Sequence, residues 1–322
     1  MSLYAWTVVS GWAASQVAAL LTCVISVLDL IWSVVAPRKG APAPRVVLIT
    51  GASSGIGKAL AIDYASPGMT LVLTGRNMER LREVSDACDA KGAAVILKAI
   101  DVTDESGMRD WIAAVDTDHP IDLVVANAGV SEATAAVQND PAGAARTILP
   151  INVFGLLNTV VPLIEPMKAR GRGQIAIVSS LAGFGPITSS AAYSASKAAV
   201  KTWGEALRTE LLCFGVRVNV VCPGFVRSPM TAVNKFYMPG LINMDEAIAC
   251  IREGLACDLP VIAFPSFTYF LAQMSGALPV AAREALARLG VLSGLFFYRR
   301  GPKGRSAAAE SAGSEGAASK RD

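Results

Sequence analysis

Val46-Val-Leu-Ile-Thr50-Gly51-Ala-Ser-Ser-Gly55-Ile-Gly57 runs from a short apolar, β-branched segment through spaced glycines into a helical pattern. Val and Ile favour a pleated, buried strand. Glycines at the exit let the backbone turn tightly and come close to a bound group. The helix that follows, expected over 55–65, would point its positive N-terminal end at that turn. A phosphate-bearing ligand is suited to such a place. The same pattern also serves as a purely structural strand-to-helix turn, so the stretch fixes the architecture before it fixes a ligand.

Outward from this unit the same alternation continues. Strand-length apolar runs stand at 71–75, 94–100, 123–126, 174–179 and 216–221, with a further candidate at Val261–Phe264. Helical stretches separate them, among them 78–91 and 191–212. Continuous apolar strands alternating with helices require a parallel sheet covered on both faces. The expected fold class is therefore α/β, a doubly wound parallel (Rossmann-type) sheet that binds its ligand at the carboxyl ends of the strands. It forms a single catalytic domain over 45–265.

The chain has 322 residues, 52% of them hydrophobic and 17% charged, with a mean hydropathy of +0.45. That is oilier than an ordinary soluble domain. From Leu3 to Leu28 there is no charged side chain, and the apolar character continues to Ala36. About 20 such residues cross a bilayer as a helix. Arg38, Lys39 and Arg45 follow the segment and no Lys or Arg precedes it, which places the bulk of the protein on the cytosolic side. Residues 1–36 are read as a transmembrane anchor, with a buried or surface-lying helix as the alternative. Pro37 to Pro44 is a linker by composition. The oily region 266–298 reads as apolar helices that cap the core or lie on a membrane surface, because Pro279, Arg283, Glu284 and Arg288 interrupt it. The tail 299–322 has the composition of a disordered segment.

Several functions are excluded at this level. His119 is the sole histidine, so neither a Ser-His-Asp triad nor a multi-His metal centre can be built, and no metal is expected. A net charge of +3, without a basic stripe carrying aromatics, gives no case for nucleic acid. The six cysteines form no Cys-x-x-Cys pair and read as reduced thiols. Gly57-Lys58 resembles the end of a P-loop, but Ala59 stands where Ser or Thr must hold magnesium, and the glycine spacing is wrong.

The chemistry lies further along. Tyr193-Ser-Ala-Ser-Lys197 puts a phenol and an ammonium one turn apart on a single helix face. A cation beside a phenol lowers its pKa from the usual value near 10 towards a useful range. Ser180, thirteen residues earlier, supplies a hydroxyl that can hold a substrate oxygen. Taken alone, Tyr-x-x-x-Lys also fits a solvated helix face; its company decides the matter.

From about Arg45 to Phe264 the chain resembles the short-chain dehydrogenase/reductase family. Thr50–Gly57, including Gly51, Ser53, Ser54, Gly55, Ile56 and Gly57, is similar to its cofactor turn. Asn127-Ala128-Gly129 is similar to its Asn-Ala-Gly motif, although Ala126 replaces a usual Asn. Asn152, Ser180, Tyr193 and Lys197 fall where the family carries its catalytic tetrad. Pro223-Gly224 is similar to the turn beside the nicotinamide. The resemblance implies that Tyr193 exchanges a proton with the substrate oxygen, Ser180 polarises that oxygen, Lys197 lowers the tyrosine pKa and bonds the nicotinamide ribose, and Asn152 holds a water linking Lys197 to solvent. It also implies that Asp101-Val102 contacts the adenine. At the end of the second strand, Arg76 stands where an acid would select NAD, so NADP(H) is the expected cofactor; a solvated Arg76 is the bland alternative.

The loop from Pro223 to Asn243, with Phe225, Met230, Phe236, Tyr237, Met238 and Leu241, is expected to close over substrate. Together with the anchor it points to reduction of a lipophilic ketone, such as a 3-ketoacyl or ketosphinganine-like lipid. Alternatives are an NADP-linked alcohol or steroid dehydrogenase working oxidatively, and a non-catalytic membrane-tethered NADPH sensor. The resemblance further implies a homodimer or homotetramer.

Overall fold

The computed structural model describes residues 16, 17, 20, 21, 24, 25 and 28, then 40–137, 140–187, 190–234 and 237–288. Within these, seven parallel strands form one sheet: β1 (Val46–Thr50), β2 (Thr70–Gly75), β3 (Ala94–Ala99), β4 (Leu123–Ala126), β5 (Gly173–Val178), β6 (Val216–Pro223) and β7 (Val261–Phe264), in the order β3-β2-β1-β4-β5-β6-β7. The connections run outward from β1 to one edge and from β4 to the other. The point of reversal between β1 and β4 opens a crevice at their carboxyl ends.

Side chains alternate across the strands and so build two cores. Val47, Ile49, Leu71, Leu73, Leu123 and Val125 face α1 (Gly55–Tyr64), α2 (Met78–Asp89) and, further along, α8 (Met244–Ala256). Leu48, Val72, Val124, Ile175 and Ile177 face α3 (Glu105–Asp118), α5 (Gly155–Arg170) and α6 (Ala191–Leu211). Asn77 and Asp104 cap α2 and α3 through Arg80 N (2.9 Å) and Gly107 N (3.0 Å). Each such cap is worth about 1 kcal/mol.

Between β4 and β5 the chain forms one continuous helical run: α4 (Pro141–Leu149), a π turn over Pro150–Phe154, and α5. Pro141–Arg170 is apolar and long enough to cross a membrane by composition. Leu156, Val160, Leu163 and Met167, however, pack into the second core, which identifies a core helix. The seven expected strands, and the helices expected over 55–65, 78–91 and 191–212, are present. β6 extends two residues beyond the expected 216–221, because Cys222 and Pro223 gain partners in Ala263 and Phe264 of β7.

Beyond α7 (Pro229–Ala232) and α8, the last strand leads into α9 (Ser266–Ala277) and α10 (Val280–Arg288). Tyr269 and Ala272 of α9 pack beside Leu181 and Cys222, while Phe267 and Phe270 are 70% and 54% exposed. The expected apolar C-terminal helices are thus present as far as residue 288. Residues 289–298 and the tail 299–322 lie outside the described residues, as does most of the 1–36 segment. Its described members are helical, and Val17, Leu20, Leu21, Val24, Ile25 and Leu28 are exposed.

Candidate active site

The glycine turn lies at the crevice. Gly51 has φ +66°, a conformation open to glycine at little cost. A Cβ on Gly57 would collide with Gly51 O and stand 2.7 Å from Asn127 Nδ2. The turn is held from β4: Asn127 Nδ2 donates to Thr50 O (3.0 Å), and the Asn127 and Ala128 amides donate to Thr50 Oγ1 (3.1 and 3.2 Å). Asn127-Ala128-Gly129 therefore braces the turn as well as lining the crevice. Ile56 packs on the first core, and a Cβ on Gly75 at the end of β2 would stand 3.3 Å from Ser53 Oγ. Ser54 makes no side-chain cap and the first turn of α1 holds no acid, so its amide dipoles face the crevice without a competing charge.

Arg76, immediately after β2, is exposed. Asp101, after β3, lies within its electrostatic reach. Burial raises the Asp101 pKa, but hydrogen bonds from Thr103 N (2.9 Å) and Oγ1 (2.8 Å), with Arg76 beyond them, outweigh it and hold the carboxyl below its ordinary value. Val102 is buried and its carbonyl accepts from Asn158 Nδ2 (2.9 Å).

On the other side of the crevice, α6 carries Tyr193 and Lys197. Lys197 is 4% exposed, its Nζ donates to Val178 O (2.9 Å), and it stands 5.7 Å from the Tyr193 ring centroid. Burial lowers the Lys197 pKa to about 8. Burial likewise raises that of Tyr193, opposed by a hydrogen bond with Ser180 and reinforced by the Glu132 carboxylate. Ser180 also donates to Pro223 O (3.3 Å) and accepts from Ala182 N (3.1 Å). Neighbouring Ser179 points the other way: it is buried and donates to Lys197 O (2.8 Å), fixing the lysine's backbone. Gly224 N donates to Phe264 O (2.8 Å), which anchors the Pro223-Gly224 turn on β7.

Asn152 is fully buried in the π turn. Its Oδ1 accepts from Val130 N (2.8 Å), and Nδ2 donates to Val130 O and Ser196 Oγ (both 3.0 Å). It thus ties the loop after β4 to α6, with a second lone pair on Oδ1 left over. The base of the 223–243 loop is clipped by Arg227 N to Ile242 O and Ile242 N to Phe225 O (3.0 Å each), and Tyr237 is exposed. Phe236 lies outside the described residues. The site also contains Glu132, which the sequence analysis did not single out: it is buried, and its Oε1 accepts from Tyr193 N (3.0 Å).

These parts fit a dinucleotide: a glycine turn with no room for a Cβ, a helix N-terminus free of acids, and a buried lysine beside a phenol. Fold and site together define an oxidoreductase that works with a nicotinamide dinucleotide. The family model for short chain dehydrogenase matches residues 45–236, and the chain belongs to that family. An uncharacterized oxidoreductase of Myxococcus xanthus is 38% identical over 76% of this chain and 96% of its own length. Among solved structures, a short-chain dehydrogenase from Sphingobium yanoikuyae in complex with NADPH is 28% identical, with a TM-score of 0.62 over 81% of this chain and 98% of that one. A short chain dehydrogenase from Mycobacterium paratuberculosis bound to NAD is 26% identical, with a TM-score of 0.59 over 68% and 94%. The family fold thus accepts NAD(P)(H).

Proposed function

We propose that the protein is an NADPH-dependent reductase of a lipophilic ketone, such as a 3-ketoacyl or ketosphinganine-like lipid, working at a membrane with its catalytic domain in the cytosol. The observation that carries the reading is the cluster of Ser180, Tyr193 and buried Lys197 beside the β1–β4 crevice. When bound between the glycine turn and Lys197, a reduced nicotinamide would supply hydride for a carbonyl carbon. Ser180 and Tyr193 hydrogen-bond the carbonyl oxygen, and Tyr193 gives it the phenolic proton as charge develops there. The Lys197 ammonium stabilises the resulting phenolate and would hold the ribose of a bound cofactor. Asn152, through Val130 and Ser196, keeps α6 in register with the β4 loop.

NADPH is favoured because Arg76 follows β2 with no acid before Glu79, and a guanidinium pairs with a 2′-phosphate in bidentate fashion. A lipophilic substrate is favoured by the exposed Phe267 and Phe270 of α9, a helix that packs beside Leu181 and Cys222 near the site, and by Tyr237 of the loop. Membrane attachment is favoured by the exposed apolar stripe of Val17, Leu20, Leu21, Val24, Ile25 and Leu28.

The test is NADPH and NADH oxidation by the detergent-solubilised full chain against ketones graded by chain length. Activity should rise with chain length and prefer NADPH. Arg76→Ala should weaken NADPH by about 10- to 100-fold, the worth of charged hydrogen bonds, while barely touching NADH. Equal losses for both would remove the 2′-phosphate argument, and activity confined to small ketones would remove the lipid.

A further inference from the structure

Glu132 is a carboxylate 5% exposed, in the turn that follows Asn127-Ala128-Gly129. Its Oε1 accepts the Tyr193 amide proton at 3.0 Å, and its Oε2 is buried without a hydrogen-bond partner among the described residues. Burying a carboxylate this way is costly unless the surroundings use it. Tyr193 N is one of the amides that the first turn of α6 leaves without an intrahelical acceptor. The local cap does not serve it, because Ser190 makes no side-chain cap bond. An acid 61 residues away therefore takes the place of the N-cap at the residue that carries the reactive phenol.

The groups facing that phenol are few. Lys197 Nζ stands 5.7 Å from the ring centroid on the same helix, and Ser180 reaches it from the turn after β5. Cys222 on β6 is a neutral thiol, since burial pushes its pKa up to about 12. Among them, the Glu132 carboxylate is a group whose charge opposes a Tyr193 phenolate. An anion beside a phenol opposes the phenolate.

We propose that Glu132 is a positioning residue that seats Tyr193 at the head of α6 and keeps its phenol in the proton-bearing form, setting the site to donate a proton to a carbonyl rather than to take one from an alcohol. The inference deepens the reductase reading and rests on it for its meaning. Its test requires no substrate, so the two fail separately.

The phenolate absorbance of the full-length protein in detergent is titrated with and without Tyr193→Phe, and the difference isolates Tyr193. Glu132→Gln keeps the amide acceptor and removes the charge. In that variant the Tyr193 phenolate should appear at a pH lower by roughly one unit, with NADPH binding unchanged. Once a substrate is in hand, the alkaline limb of kcat/KM for reduction should move by the same amount. Glu132→Ala, which also loses the acceptor, should lower turnover further. Superimposable Tyr193 titrations in wild type and Glu132→Gln overturn the proposal. If the variants fail to fold, tyrosine-Cζ-labelled wild-type protein decides. The Tyr193 resonance should remain that of the phenol until above the ordinary tyrosine range, and a phenolate resonance at or below that range overturns the proposal.

Discussion

Lys197 shows at a single residue how this site trades stability for chemistry. Burial holds its pKa near 8, well below the ordinary lysine value. Between that pH and the unfolded pKa near 10.4, the unfolded chain binds more protons than the folded one. Stability therefore rises with pH across this window, and the full penalty of the buried ammonium is present below it. Lys197→Met removes the penalty, on the order of a few kcal/mol. Denaturant unfolding of the cofactor-free protein should find the gap between variant and wild type moving in favour of wild type from pH 7 to pH 10. A gap constant with pH would mean that the lysine is solvated. The candidacy of this residue was legible from its spacing to Tyr193, and that of Ser180 from its thirteen-residue interval to the same tyrosine. Glu132 was not legible. Its partner is 61 residues distant, and a lone acid in a loop reads as a solvated charge until the fold closes over it.

At the scale of elements, the strand–turn–helix at β1 and α1 depends on close contact rather than on helix propensity. Gly57 lies inside α1, where alanine would gain about 1 kcal/mol of propensity. Its Cβ would nevertheless meet the Gly51 carbonyl and Asn127 Nδ2, neither of which can yield without opening the bracing to Thr50. Overpacking of this kind costs about 1–3 kcal/mol. Gly57→Ala should therefore lower the melting temperature slightly and weaken dinucleotide binding by at least about tenfold, the equivalent of 1.4 kcal/mol, as read by NADPH fluorescence titration. Unchanged affinity would show that the turn relaxes and that the glycine is structural. The elements themselves were readable because each buried strand is a continuous apolar run and each helix carries its own periodicity. The π turn at Pro150–Phe154 was not, since it answers a tertiary demand: it directs Asn152 towards Val130 and Ser196. The two extra residues of β6 have the same origin in the edge strand β7.

For the whole molecule, the proposed membrane attachment fixes where the catalytic domain would sit. Gly40 and Ala41 are already fixed to it: Ala41 N donates to Ala256 O at 2.8 Å, at the end of α8. With the proposed anchor ending at Ala36, the intervening residues 37–40 reach at most about 14 Å at full extension. The proposed attachment therefore holds the end of α8 close to the bilayer surface, and the domain cannot drift far from it. Among the described residues, those of the sheet and its two cores all lie beyond Arg45. Deleting residues 1–36 while keeping the linker should leave folding, melting temperature and NADPH binding unchanged and move the protein from the membrane pellet to the supernatant. If the truncated chain still pellets, adding Phe267→Ser and Phe270→Ser on the exposed face of α9 separates two causes. Release by the double substitution would identify that helix as a second, interfacial contact, because each exposed aromatic ring contributes apolar area to the headgroup boundary. A truncated, doubly substituted chain that remains with vesicles, yet binds NADPH as before, would overturn the assignment of the membrane contact to these two apolar surfaces.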